Sequence, residues 1–229
     1  MSLIVMEGLD GSGKGTQTGL LYQFLQEKCA ARRISFPNYE SPSSSLVKMY
    51  LQGEFGSRPE DVNAYAASSF YAVDRYASYQ KDWRTDYENG VLFLADRYAT
   101  SNIVYQLTKL PQQEWESYIR WMEDFEYEKL RLPRPDLVIY LDMPTEVSQQ
   151  LLTGRYHGDE SKKDIHERNL AFLAQCRKSA LFAAQLLGWK VIPCAENGTP
   201  LSIEKIQEMI QQTVTEAFDA EILHTHHSG

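Results

Sequence analysis

Positive charge is the scarcer sign in this chain of 229 residues, with 23 lysines and arginines against 31 aspartates and glutamates, a formal net charge of −8. That balance is wrong for a protein that coats a nucleic-acid backbone, so any polyanion it takes must be small and held locally. Cysteine is scarce too. Cys29, Cys176 and Cys194 lie far apart with no Cys-x-x-Cys pair, which argues against a disulfide framework or zinc cluster and points to a reducing, cytoplasmic setting. No run approaches the roughly 18 consecutive apolar residues of a membrane span, so no membrane partner is expected. The apolar stretch Leu3 to Met6 meets Glu7 and Asp10, too short and too acidic for a signal peptide. No Gly/Ser-rich linker and no internal repeat divides the chain, and residues 1–229 read as one domain. His224, Thr225, His226 and His227 belong to a frayed tail over about 221–229 and receive no metal role.

Against those absences stands ordinary globular usage, 43% hydrophobic and 24% charged. Short apolar runs alternate with longer amphipathic stretches, the sequence form of an α/β protein with a parallel sheet covered on both faces. Strands are expected at Leu3 to Met6, Arg33 to Phe36, Val91 to Ala95, Leu137 to Leu141 and Lys190 to Pro193. Helices are expected over about Gly13 to Lys28, Ser44 to Leu51, Pro59 to Tyr87, Thr100 to Leu107, Pro111 to Leu130, Thr145 to Leu152, Lys163 to Leu187 and Leu201 to Ala220. Two loops stand apart: the polar Pro37 to Ser45 and the charged Gly154 to Asp164, both placed to flank a ligand beyond the strand ends.

The most specific signal is Gly8-Leu9-Asp10-Gly11-Ser12-Gly13-Lys14-Gly15-Thr16, leaving the first strand and opening a helix. Side-chain-free positions let backbone N–H groups turn around phosphate oxygens while the helix aims its positive end at the same anion. Lys14 adds a full charge that can reach the outer phosphates. Gly15 stands where a phosphate loop usually has Ser or Thr, so the hydroxyl for Mg2+ must come from Thr16 or act through water. This Gly-Lys-Gly-Thr form resembles nucleoside monophosphate kinases. A guanine-reading Asn-Lys-x-Asp is missing, since no Asn is followed by Lys, which sets the GTPase switches aside. Strand Val91 to Ala95 then delivers Asp96 to hold the metal or its waters and Arg97 to fork onto a phosphate.

At this point the chain resembles the thymidylate kinases over nearly its whole length. The marks are Glu7-Gly8-Leu9-Asp10-Gly11, Phe36-Pro37, Tyr71 followed by Arg75, Asp96-Arg97-Tyr98, Ser101-Asn102 followed by Tyr105, and Asp164-Ile165-His166-Glu167. The resemblance implies a three-layer P-loop kinase fold with a five-stranded parallel sheet, a short lid at about 154–164, a homodimer, and γ-phosphoryl transfer from ATP, with Mg2+, to dTMP. By position it makes Asp10 a neighbour of the deoxyribose 3′-hydroxyl, Arg75 and Arg97 phosphate ligands, and Tyr71 the ring stacked on thymine. Asn102 becomes the base-edge amide, and Tyr105 the ring that crowds a ribose 2′-hydroxyl. Phe36 and Pro37 line the acceptor side, and Asn197 belongs to the adenine-side loop. Position 12 is Ser, so the essential arginine must come from the lid, with Arg155 as donor and Lys162 and Lys163 assisting. Family members often carry an arginine just after Phe-Pro, where this chain has Asn38 and Tyr39, so that contact is lost or supplied from elsewhere. Blander readings remain at single residues: Tyr71 as core, Arg75 paired with Asp74, Asn102 as a helix cap. A kinase of another nucleoside monophosphate or of a deoxynucleoside, and a non-catalytic nucleotide-binding regulator, are the competing functions.

Overall fold

The computed structural model describes residues 2–56, 58–155 and 170–218. In chain order they form β1 (Ser2–Gly8), α1 (Lys14–Gln26), β2 (Ala31–Ser35), α2 (Ser45–Leu51), α3 (Ala64–Ser78), α4 (Arg84–Glu88), β3 (Leu92–Asp96), α5 (Thr100–Gln106), α6 (Trp115–Glu123), β4 (Leu137–Asp142), α7 (Thr145–Arg155), α8 (Leu170–Leu187), β5 (Lys190–Pro193), β6 (Ala195–Glu196), β7 (Thr199–Pro200) and α9 (Ile203–Ala217). Five strands make one sheet in the order β2-β3-β1-β4-β5, all parallel, so every strand delivers its carboxyl end to the same edge.

Strand alternation sorts the core into two layers. Leu3, Val5, Phe93, Ala95, Val138 and Tyr140 face one side, against α5, α6 and α8. Ile4, Met6, Leu94, Ile139 and Leu141 face the other, against Leu21 and Leu25 of α1 and Ile206, Ile210 and Val214 of α9. The expected α/β architecture and all five strands are present. Cys29, Cys176 and Cys194 are buried free thiols, and burial pushes the Cys194 thiol up to about 12.

Two long helices differ from expectation. The stretch read as Pro59 to Tyr87 begins with a 3-10 turn, Pro59–Asp61, and restarts at Asn63, whose side chain accepts from Ala66 N and caps α3. A π turn, Tyr79–Trp83, then joins α3 to α4. The stretch from Pro111 likewise opens in a 3-10 turn and passes from α6 into a second π turn, Asp124–Lys129. Beyond β5, Ala195 to Gly198 is the arm and turn of an antiparallel hairpin, β6 with β7. The histidines near the end and the Asp164–Glu167 motif lie outside the described residues.

Candidate active site

A cavity of about 380 Å³ opens beyond the carboxyl ends of β1, β2 and β3. Its wall brings together Asp10, Lys14, Phe36, Pro37, Tyr71, Arg75, Asp96, Arg97, Asn102 and Tyr105, residues separated by up to most of a hundred positions and all singled out in the sequence. The phosphate loop folds as its glycines require. Gly11 and Gly13 both take φ of 80°, and a Cβ on Gly8 would sit 2.7 Å from Ser12 Oγ and 3.3 Å from Leu141 Cβ. Gly13 caps α1 in the left-handed conformation, leaving Lys14 and Thr16 in the helix's first turn.

Lys14 and Asp96 form an ion pair, and Asp96 accepts a second hydrogen bond from Arg33 Nη2 at 3.0 Å. Burial pulls the Lys14 ammonium below its ordinary range, aided by Arg97 and opposed by Asp96. Burial pushes the Asp96 carboxyl up, but Lys14, Arg97 and Arg33 outweigh it and hold it low, so Asp96 stays ionised. Arg97 adopts a left-handed backbone, φ 66°, and its guanidinium donates to Asp10 Oδ1 at 2.8 Å and to Tyr105 Oη at 2.7 Å. The Asp96-Arg97 pair is thus split between partners and does not close on itself. Below them Glu7 is fully buried and accepts from Thr100 and Ser101, fixing the start of α5.

Asp74, 1% exposed, accepts from Asn38 N at 2.8 Å and Ser43 Oγ at 2.6 Å. It ties α3 to the Phe36–Pro37 loop and does not pair with Arg75. Tyr71, three residues earlier on α3, is half-buried on the cavity wall with the Tyr50 ring edge-on at 6.4 Å.

Arg75 lines the cavity with its guanidinium already held. It is 2% exposed and bound through Nε and Nη2 to Glu126, whose carboxylate is fully buried. Asn102, inside α5 and not at its cap, donates from Nδ2 to Glu126 Oε1 at 3.1 Å and to Ser68 O at 3.4 Å. A guanidinium held in a two-bond fork by a buried carboxylate is grouped with Asn102, while Lys14 and Arg97 pair with Asp96 and Asp10.

Sequence reasoning missed Glu126, Arg33 and Lys109. Lys109 lines the cavity, donates to Tyr50 Oη and Val62 O, both at 2.9 Å, and burial draws its ammonium down to about 8. Lys109 carried only the signal of a cation four residues after Tyr105; the other two are recognisable only once folded. Asn197 is exposed in the β6–β7 turn with φ 50° and does not line the cavity. Arg155 ends α7, and its side chain, with Lys162, Lys163 and most of the expected lid, lies outside the described residues.

Magnesium takes one or two carboxylates and fills its octahedron with phosphate oxygens and water. Among the described residues no group of three or more His, Cys, Asp or Glu could cage a metal. Asp96, Asp10 and the exposed Thr16 hydroxyl are instead an open set of oxygen donors beside the phosphate loop. They fit a Mg2+ that arrives already bound to a nucleotide's phosphates.

Comparison with known proteins agrees with this geometry. The family model described as thymidylate kinase matches residues 6–215. A probable thymidylate kinase of Pyrobaculum aerophilum is 26% identical over 93% of this chain and 98% of its own length. A thymidylate kinase of Mycobacterium tuberculosis is 29% identical over 79% of this chain and 84% of its own. Among solved structures, the thymidylate kinase from Candida albicans superposes with a TM-score of 0.67 at 21% identity, covering 94% of this chain and 91% of that one, a likeness of fold. A family match over nearly the whole chain, laid on a cavity that joins a phosphate loop to an aromatic and amide wall, places this chain in the thymidylate kinase family.

Proposed function

We infer that this chain phosphorylates dTMP to dTDP with ATP as donor. The observation that carries the reading is the single cavity in which Lys14, Asp96 and Arg97 share a wall with Tyr71, Arg75 and Asn102. Cations meet a dianion, a ring meets a π-face, and an amide with a guanidinium meets a base edge.

The acceptor needs no general base, because a phosphate monoester with a second pKa of about 6 is largely a dianion at neutral pH. The protein's work is to position and neutralise. Lys14 and Arg97 rest on Asp96 and Asp10, and phosphate oxygens take the place of those carboxylates. Lys14 then follows the transferring group while Arg97 holds the acceptor phosphate. The loop Gly8, Leu9, Gly11, Ser12, Gly13 and Gly15 cradles the donor through those backbone N–H groups its own fold leaves open, the Ser12 N–H being spent on Leu9 O at 3.1 Å. Asp96 and Thr16 would hold a Mg2+ arriving with ATP, and the ion would supply charge neutralisation there. Arg155 is the lid arginine in this reading, and Asn197 sits on the adenine side through its backbone.

On the acceptor, Tyr71 stacks the base and Asp10 neighbours the 3′-hydroxyl. Tyr105, fixed by Arg97, fills the space of a 2′-hydroxyl. Arg75 moves from the phosphate to the base edge, beside Asn102. Assembly as a homodimer belongs to the same reading, supported by Val73 and Tyr76, exposed three residues apart on α3. The three free thiols support a reducing, cytoplasmic home.

A coupled ADP-release assay over dTMP, dUMP, dCMP, dGMP, UMP and AMP tests the reading. dTMP is expected to have the highest kcat/KM, and a better acceptor among the others would sink it.

A further inference from the structure

Helix α6 buries Trp115, Tyr118, Ile119 and Met122 along one stripe, and the next position on that stripe is a glutamate, Glu126, with no exposure at all. A carboxylate in an apolar stripe is costly unless its partners compensate, so its partners are informative. The π turn Asp124–Lys129, in which Leu130 N donates to Phe125 O at 3.0 Å, carries it behind the cavity wall. There it accepts three hydrogen bonds, two from Arg75 and one from Asn102.

An asparagine amide can face either way, and here one direction is forced. Nδ2 meets two acceptors, Glu126 Oε1 and Ser68 O. Turning the amide over would set its oxygen against both, leaving buried acceptors facing an acceptor. The Asn102 side-chain oxygen, Oδ1, therefore points away from Glu126, meets no hydrogen-bond donor among the described residues, and belongs to a residue that lines the cavity. On Arg75 the same carboxylate occupies Nε and Nη2 and leaves Nη1 as the donor on a second lining residue.

We propose that Glu126 is a positioning residue for base choice: by fixing the Asn102 amide and the Arg75 fork it presents one acceptor beside one donor, the complement of a 4-keto pyrimidine. Such a base offers N3–H to the amide oxygen and O4 to the guanidinium. A 4-amino pyrimidine offers a lone pair and an amino group instead, so acceptor would face acceptor and donor would face donor. This inference rests on the dTMP reading and adds the group that enforces it from outside the cavity.

The test is Glu126→Gln, with kcat and KM measured for dTMP and for 5-methyl-dCMP, which keeps the methyl group and changes only the 4-position. One carboxylate oxygen becomes an NH2: at the Oε1 place it faces both Arg75 Nη2 and Asn102 Nδ2, and at the Oε2 place it faces Arg75 Nε, so the fork loses its two-bond hold either way. The Asn102 amide, no longer held by a carboxylate and kept only by Ser68 O at 3.4 Å, turns its NH2 to the cavity. The dTMP over 5-methyl-dCMP ratio of kcat/KM is expected to fall about tenfold or more, the size of one misplaced buried hydrogen bond. Most of the change is expected in KM, with kcat/KM for 5-methyl-dCMP rising in absolute value. A purely structural role for Glu126 would lower both acceptors together, and an unchanged ratio overturns the proposal. Glu126→Asp keeps the charge beside Arg75 but withdraws it from Asn102; a fall of about threefold is expected, and no fall overturns the proposal even if Glu126→Gln does not fold. A native enzyme that itself prefers 5-methyl-dCMP would overturn the parent reading as well, whereas a native preference for dTMP with invariant variants overturns only the role of Glu126.

Discussion

The cavity holds its arginines in two different ways. Arg97 rests on Asp10 with their side chains 18% and 34% exposed, in an ion pair that solvent and phosphate can both reach. Arg75 rests on Glu126 with side chains 2% and 0% exposed, in a pair that nothing replaces. In the proposed function, carboxylates at the first end act as stand-ins for the anions of the substrates, and giving them up costs little because phosphate restores the charge balance. The carboxylate at the second end is permanent: taking two charges out of water is repaid only while both remain, so that end is fixed before any ligand arrives. The exchangeable end suits chemistry and the fixed end suits selection.

The largest expected effect breaks the fixed end. Arg75→Ala leaves the Glu126 charge buried and alone, costing roughly 3–5 kcal/mol of stability, which should appear in calorimetry as a drop in Tm on the order of 10 °C. If Tm is instead unchanged, the two ends do not differ as described. Next comes the exchangeable end, where Lys14→Ala is expected to reduce kcat by roughly 10²–10³-fold through lost stabilisation of the transferring charge. Titration calorimetry should find dTMP affinity within a few-fold of native, and a parallel loss of binding would move Lys14 out of the transfer step. Smallest is Arg33→Ala. Its bond to Asp96 is partly exposed, and such pairs contribute about 0–1 kcal/mol, so a change of no more than about fivefold in kcat/KM is expected from steady-state kinetics. A much larger loss would make Arg33 the replacement for the arginine missing after Phe36-Pro37.

Much of this was legible before folding. Apolar runs such as Leu137 to Leu141 can only be covered strands, and glycines at 8, 11 and 13 ahead of Lys14 can hardly be anything but an anion cradle. The hidden site residues share one property, dependence on partners far along the chain. Glu126 lies among Asp124, Glu128 and Lys129, which looks like a solvated face, and only Arg75, 51 positions away, reveals it as buried. Arg33 reads as half of an ordinary basic pair on a strand until Asp96 comes alongside in the sheet. Asn63 gave no visible reason to stop a helix, since its cap depends on a backbone turn that period alone does not specify. The π turns were invisible for the same reason, because a single i→i+5 turn has no residue signature of its own.

The buried thiols have a use beyond marking a compartment. Burial pushes all three upward, so none offers appreciable thiolate near neutral pH while the fold is closed. Cys176 and Cys194, with no exposure, are therefore silent until their neighbourhoods open, and they serve as native clocks at two separate points: the middle of α8 and the exit from β5. The rate at which a small thiol reagent finds each one measures how often that neighbourhood opens. Cys176, on the helix that packs against α5, would time the opening of that helix pair without any label being introduced.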